Sequence, residues 1–315
     1  MGLAHGYRQQ VTRARIEGAL ARAGLRTAVA DVQDLAGGTF NAVLRVRLAD
    51  GTRLIVKVAP PAGAKLMRYE HGLLPAEALY YRLAAGNSVP EVVHAEPDLL
   101  IMTELPGVTL AEADLPAEAR ARVRHALGGH LAALHTMPAG AGTGFGYPSG
   151  PLHPTWPGAF AAMIDALLAD AEDAGLELPR PAHEITALID AAGLDAVTTP
   201  TLVHFDLWDG NILVTPDGQV TGLIDAERAF WGDPVADFAS LALFREIADD
   251  ASFLAGYRAA GGTFGEAEAR RLRAYQIYLY LIMWIEVGPR GYPPEHTAER
   301  WSALRQIFDA WDIYR

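Results

Sequence analysis

The sequence contains no cysteine among its 315 residues, and this absence excludes several classes of protein. Disulfide-stapled scaffolds, thiolate zinc centres, iron–sulfur clusters and cysteine nucleophiles all require that residue. Lysine is also scarce, because it occurs only at Lys57 and Lys65 while arginine supplies the other basic residues. A lysine kept inside an apolar strand is therefore expected to serve a purpose that needs a compact ammonium group.

Long hydrophobic runs are missing as well. The longest apolar stretch, residues 277–285, is far shorter than the roughly 20 residues that span a bilayer. The first 15 residues lack the apolar segment of a signal peptide. Acidic residues outnumber basic ones by 38 to 26, so the net charge is −12, which repels nucleic acid and anionic membranes. We expect a cytoplasmic globular protein with no nucleic-acid or membrane partner.

Strand patterns dominate the first third of the chain, and helical patterns dominate the rest. Strands are expected at 29–35, 42–48, 53–58, 91–95 and 99–104, with helices at 8–24 and 70–85. Beyond residue 116 the pattern is helical, apart from a β island at 202–225. This order predicts an α+β fold with two lobes, a β-rich lobe over residues 1–105 and a helical lobe over residues 106–315.

The most specific motif has the form H-x-D-L-x-x-x-N and runs from His204 to Asn211. Asp206 lies in a loop before a predicted hairpin, Asn211 opens the first strand and Asp225 ends the second. The turn at residues 216–218 folds these strands back on each other, so all three side chains should meet at one end. Two carboxylates and an amide oxygen form the kind of oxygen-only site that Mg²⁺ prefers.

A second motif is Lys57, which lies within the apolar segment 54–58. A buried ammonium group needs a partner of opposite charge. Glu77, on the next predicted helix, is the first candidate. Glu70 is the alternative, since it lies about two turns earlier on nearly the same helix face.

Together these motifs resemble those of the aminoglycoside phosphotransferases and related small-molecule kinases, which share the protein-kinase-like fold. The resemblance covers nearly the whole chain and includes the turn Gly37-Gly38-Thr39-Phe40-Asn41, Lys57, Glu77, the loop 204–211 and the segment 223–237. The loop is also similar to that of the fructosamine kinases, which carries Leu-Trp at the same place.

The resemblance implies roles for individual residues. Asp206 would be the catalytic residue that accepts the proton of a substrate hydroxyl, and Asn211 and Asp225 would hold Mg²⁺ on the phosphates of ATP or GTP. The other nucleotide contacts would be Lys57 positioned by Glu77, the turn residues Gly37, Gly38 and Thr39, and Met102 and Glu104 in the hinge strand. The chain lacks G-x-G-x-x-G, a Phe-Gly after Asp225 and an A-P-E segment, which favours a constitutive small-molecule kinase over a regulated protein kinase.

The acceptor is the least specified part of this prediction. The net charge and an acidic helical segment favour a cationic acceptor such as an aminoglycoside antibiotic, with antibiotic resistance as the biological role. The acidic residues in question are Asp165, Asp170, Glu172, Asp173 and Glu177, with Glu286 at the end of a later helix. A fructosamine, a macrolide, a peptide antibiotic and a nucleotide-binding pseudokinase remain as alternatives, and both a monomer and a homodimer remain open.

Overall fold

The computed structural model describes residues 12–35, 40–137, 139–140 and 143–313, so the turn residues Gly37, Gly38 and Thr39 lie outside its described part. An antiparallel sheet of five strands occupies the first third of the chain, in the order β1-β2-β3-β5-β4. Its strands are β1 (Val29–Asp34), β2 (Ala42–Leu48), β3 (Arg53–Val58), β4 (Val92–Glu96) and β5 (Leu99–Thr103).

The two faces of this sheet have different roles. Alternation along β3 turns Leu54 and Val56 towards helix α1 (Arg13–Arg22), where they form a small separate core. Lys57 therefore projects from the opposite face, directly across from Leu100 on β5. This second face packs against helix α2 (Leu73–Leu83) and belongs to the larger hydrophobic core.

Helix α2 begins later than the sequence pattern predicts. Arg68–Glu70 form a separate 3₁₀ turn, and α2 starts only after Gly72, whose φ of +77° is left-handed. A left-handed residue interrupts the helical path, so residues before and after Gly72 do not share a helix face. The expectation that Glu70 lies on the same face as Glu77 is therefore wrong.

Helices make up most of the remaining chain. They are α3 (Ala117–His135), α4 (Trp156–Asp173), α5 (Ala182–Asp190), α6 (Asp237–Leu241), α7 (Ala251–Ala259), α8 (Glu266–Ile285), α9 (Val287–Arg290) and α10 (Pro294–Ile313). The short strands are β6 (Val108–Thr109), β7 (Thr201–Val203), β8 (Ile212–Val214), β9 (Val220–Leu223) and β10 (Phe230–Gly232). The predicted α+β architecture is confirmed.

Helix α8 lies at the centre of the helical part, because it is buried on nearly all sides from Ala274 onward and packs against α4, α6 and α10. Its Tyr275 and Tyr278 are fully buried against the ring of Phe160. Among the described residues, none of the helices combines the length and the apolar character that crossing a membrane requires.

Candidate active site

The β8–β9 hairpin brings the three predicted polar residues together. Ile212 pairs with Leu223, so Asn211 and Asp225 flank the same end of the hairpin. The side-chain amide of Asn211 donates to the backbone carbonyl of Asp206 at 2.8 Å. This bond fixes the Asn211 side chain through its nitrogen and leaves the amide oxygen as the atom that can bind a metal ion.

The loop that carries Asp206 has a strained backbone conformation, which side chains of helix α6 stabilise. Phe205 has a φ of +61°, a left-handed value that non-glycine residues rarely adopt. The backbone amides of His204 and Phe205 both donate to Asp237 Oδ1, at 2.9 and 2.7 Å. The amide of Leu207 donates to Ser240 Oγ at 2.8 Å. Asp237 and Ser240 therefore stabilise the loop without entering the site.

Lys57 is surrounded by carboxylates. Its Nζ lies 2.7 and 2.8 Å from the two oxygens of Glu77, and it also contacts Asp225 Oδ1. Glu227 lies further away, at 4.0 Å from the same Nζ. Lys57 is 5% exposed and Glu77 is 0% exposed, so the pair is shielded from solvent. The partner of Lys57 is therefore Glu77, whereas Glu70 forms a buried ion pair with Arg290.

Burial and charge act in opposite directions on these groups. Burial alone would lower the pKa of Lys57, but Asp225 and Glu77 raise it above its usual value. Burial raises the pKa of Glu77, although Lys57 opposes this shift. Burial also opposes ionisation of Asp225, yet the adjacent ammonium group holds the pKa of that carboxyl below its usual value. Lys57 and Asp225 are therefore both charged at neutral pH.

Asp206 lies in a more balanced electrostatic environment. Burial raises its pKa to about 6, helped by Asp225 and Glu286 and opposed by the guanidinium of Arg228. A carboxylate with this pKa is ionised at neutral pH but holds a proton more strongly than an exposed aspartate does. These properties suit a group that accepts a proton from a hydroxyl during a reaction.

The donor set fits a hard divalent cation. Ligand oxygens of Glu77, Asp225 and Glu227 lie within 4.8 Å of one another. The backbone carbonyl of Asn211 accepts from the amide of Ile224 at 3.0 Å, which places Asn211 across the hairpin from the residue before Asp225. Three carboxyl groups surround a single ammonium group. Burial and the nearby Asp225 raise the pKa of Glu227 to about 8, so at neutral pH Glu227 is largely protonated and the excess of negative charge comes from Glu77 and Asp225 against Lys57. Asp225 has 38% of its side chain exposed, which leaves its second oxygen accessible. An oxygen-only site with excess negative charge is what Mg²⁺ prefers.

Sequence reasoning missed Asn41 and Glu227 as members of this site. Asn41 is the last residue of the expected turn at residues 37–41, is 3% exposed, and donates through Nδ2 to Glu227 Oε2 at 2.6 Å. Burial and the nearby Asp225 raise the pKa of Glu227 above its usual value. The scarcity of asparagine was a usable signal, because Asn41, Asn87 and Asn211 are the only three in the chain.

The predicted hinge residues lie at the far end of β5. Met102 is buried on the same sheet face as Lys57, because its partner Ile55 is two residues before Lys57 on β3. Glu104 follows the strand, and its carboxylate accepts from Arg45 Nε at 2.7 Å. Its side chain is therefore tied to the sheet by Arg45 and Arg53.

Half of the six acidic groups expected on the acceptor side are paired with arginines. Glu286 is 4% exposed and lies 2.5 Å from Arg300 and 3.5 Å from Arg228. Asp170 Oδ2 accepts from the backbone amide of Arg68 at 2.9 Å, and Asp173 lies 2.7 Å from the same arginine. Asp165, Glu172, Asp173 and Glu177 are all exposed, and of these four Asp173 is the one bound to Arg68.

Residues 31–275 match the model of a family described as the phosphotransferase enzyme family. This match covers more than half of the chain. No curated protein sequence matches the chain.

Several solved structures share the fold. A protein provisionally named fructosamine-3-kinase from Thermobifida fusca has 26% identity and a TM-score of 0.66, covering 95% of this chain and 98% of its own. A macrolide 2′-phosphotransferase from Brachybacterium faecium has 19% identity and a TM-score of 0.59, with coverages of 92% and 97%. A thermostable mutant of an aminoglycoside phosphotransferase, in a ternary complex with ADP and hygromycin B, has 20% identity and a TM-score of 0.65, with coverages of 93% and 97%.

Proposed function

The chain belongs to the phosphotransferase enzyme family and is a small-molecule kinase, and we propose that it moves the γ-phosphoryl group of ATP to a hydroxyl of a small-molecule acceptor. The observation that carries this proposal is the convergence of Lys57, Asp206, Asn211 and Asp225 at one end of the β8–β9 hairpin. Phosphoryl transfer needs alignment and charge neutralisation more than covalent chemistry, and this cluster supplies both.

Each residue has a defined part in the reaction. Asp206 accepts the proton of the acceptor hydroxyl as that oxygen bonds to the γ-phosphorus and the bond to ADP breaks. Lys57, held by Glu77, places its ammonium group against the α- and β-phosphates. Asn211 and Asp225 would hold Mg²⁺, which would neutralise charge on the phosphates when bound. Backbone groups near Glu104 would contact the base of the nucleotide.

The acceptor is proposed at the level of a class. An aminoglycoside-type antibiotic has the support of the excess acidic charge and of the shared fold with the phosphotransferase bound to hygromycin B. A less basic hydroxylated metabolite is the second candidate, because arginines already neutralise Glu286, Asp170 and Asp173. The fold shared with the fructosamine-3-kinase and the macrolide phosphotransferase is compatible with this second class.

A panel assay tests the proposal. Purified protein with Mg·ATP should release ADP only when a suitable acceptor is present, and the panel should contain aminoglycosides, peptide antibiotics, macrolides and sugar-amines. Phosphorylated product is identified by mass spectrometry, with Asp206→Asn as the inactive control. A protein that binds ATP but phosphorylates no member of a broad panel would support a pseudokinase instead.

A further inference from the structure

Asp225 has an unusual backbone conformation for a residue with a side chain. Its φ is +67°, in the left-handed region that L-residues avoid because the Cβ atom approaches the backbone. Such a conformation persists only where surrounding groups hold it, at a cost of about 1–3 kcal/mol. Because φ and ψ set the direction of the side chain, whatever holds this backbone also aims the Asp225 carboxylate.

Tyr81 makes the contact that holds it. The backbone amide of Asp225 donates to the Tyr81 hydroxyl at 2.8 Å, and the same hydroxyl donates to Glu77 Oε1 at 2.8 Å. The direction of each bond is fixed, because an amide can only donate and the hydroxyl has a single proton. Tyr81 is 1% exposed and lies one helical turn after Glu77, so both side chains leave α2 on the same face.

The same device occurs at a second place in the molecule. Phe244 also has a left-handed φ, +60°, and its backbone amide donates to the hydroxyl of Tyr280 at 2.8 Å. Phe244 is 61% exposed, and within the described residues the hydrogen bond and the ring contact of this pair join Phe244 and Tyr280 to each other. Tyr280 therefore provides a matched control, with the same hydrogen bond to a left-handed residue outside the cluster.

We propose that Tyr81 is a positioning residue for metal binding, because its hydroxyl holds the Asp225 backbone so that the carboxylate contacts Lys57 and is aimed into the group of carboxylates that would hold Mg²⁺. The inference rests on the proposed function and adds a residue to it. The same hydroxyl also donates to Glu77 Oε1, one of the two oxygens that bind Lys57. The Tyr81 oxygen therefore connects helix α2 to the backbone of Asp225. The phosphate-binding ammonium group and the metal-binding carboxylate are thus set together.

Replacement of Tyr81 by phenylalanine removes this one oxygen and keeps the ring. We expect Tyr81→Phe to weaken Mg²⁺-dependent ADP binding by about five- to tenfold, which corresponds to the free energy contributed by one or two hydrogen bonds. ADP binding without metal should change by less than about twofold, because the ring and the sheet are unchanged. Isothermal titration of ADP with and without Mg²⁺ measures both, and Mn²⁺ binding by electron paramagnetic resonance reports on the metal directly.

The control variant Tyr280→Phe should lose thermal stability, though less than Tyr81→Phe, whose hydroxyl also donates to Glu77, and it should retain the wild-type effect of Mg²⁺ on ADP affinity. If Tyr81→Phe loses stability but keeps the wild-type effect of Mg²⁺, as Tyr280→Phe should, the hydroxyl is merely structural and the inference is wrong. If the wild-type protein itself binds no ADP, or if Mg²⁺ has no effect on its ADP affinity, the proposed function fails first and this inference fails with it.

Hydrogen exchange of the wild-type protein provides a second test that does not depend on a variant folding. The backbone amide of Asp225 should exchange slowly, although the Asp225 side chain is 38% exposed, because this amide donates a hydrogen bond to the Tyr81 hydroxyl. Exchange at the rate of an unprotected amide would show that this hydrogen bond does not persist in solution and would overturn the inference.

Discussion

Two charged clusters lie near Asp206. One has an excess of negative charge and the other has an excess of positive charge. The ammonium cluster has one cation, Lys57, with three carboxylates, Glu77, Asp225 and Glu227. The arginine cluster consists of three guanidinium groups and two carboxylates. Its members are Arg228, Arg290 and Arg300, which pair with Glu70 and Glu286.

The comparison separates a site that needs a ligand from one that is already satisfied. In the ammonium cluster the carboxyl groups outnumber the single cation. The free-energy cost of burying them is therefore fully offset only when a further cation binds. In the arginine cluster both carboxylates already have a guanidinium partner. The guanidinium of Arg228 also interacts electrostatically with Asp206. The first cluster therefore suits cofactor binding, while the second suits control of the catalytic carboxylate.

The largest expected effect lies between the clusters, at Asp206. Asp206→Ala should lower kcat by on the order of 10²-fold or more, because both proton acceptance and positioning of the hydroxyl are lost. Nucleotide affinity should stay close to that of the wild type, since neither cluster is altered. Steady-state kinetics and ADP titration measure the two quantities. Retention of more than about a tenth of the turnover would mean that this loop is not the catalytic one.

Removing a carboxylate from the ammonium cluster should have the next largest effect. Asp225→Ala should abolish measurable Mg·ATP-dependent turnover and weaken Mg·ATP binding, because it removes the proposed charged ligand of the metal ion. Asn211→Ala should act in the same direction but less severely, since the amide oxygen is neutral. Titration of activity and of nucleotide binding against Mg²⁺ distinguishes them. An unchanged Mg²⁺ requirement in Asp225→Ala would contradict the assignment.

The parts of this site that were predictable depend on contacts between residues close in the sequence. The turn at 216–218 fixes how the hairpin folds, so Asn211 and Asp225 could be placed at one end without a structure. Likewise, Lys57 in a strand and Glu77 on the following helix are separated by only 20 residues.

The unpredicted parts depend on contacts between distant residues. The bond from Asp225 to Tyr81 spans 144 residues, and that from Arg290 to Glu70 spans 220. No spacing rule links such positions, because tertiary packing alone brings them together. The same reason explains why Glu286 looked like a free carboxylate in the sequence, although Arg300 binds it in the structure.

Substitutions in the arginine cluster should shift the pH dependence of kcat. Asp206 acts when ionised, so kcat should fall as the pH drops through about 6, the pKa of that carboxyl. Arg228 lowers this pKa, so Arg228→Gln should move the acidic limb of the pH profile to higher pH. Glu286 raises it, and Glu286→Gln should move the limb the other way. Shifts in the same direction for both variants would show that the limb does not report on Asp206.

The smallest expected effect concerns the exposed acids. Asp165 and Glu172 are exposed and line an open groove beside α4, whereas Asp170 is buried against Arg68. If the acceptor is a polycation, neutralising the exposed pair as Asp165→Asn with Glu172→Gln should raise its KM modestly and leave kcat intact, which is the sign of lost uniform binding. Added salt should raise the wild-type KM as well, because exposed charges are screened over about 8–10 Å near physiological ionic strength.

The control for this experiment is Asp170→Asn, whose partner Arg68 is already bound in the wild type. It should lower the melting temperature because it leaves that guanidinium without its buried partner, and it should leave the salt dependence of KM unchanged. The KM for nucleotide should respond little to salt, since Lys57 acts on the phosphates at short range. A neutral acceptor should show no response to salt or to the double substitution. A flat salt response would therefore remove the polycation hypothesis and favour a neutral hydroxylated metabolite.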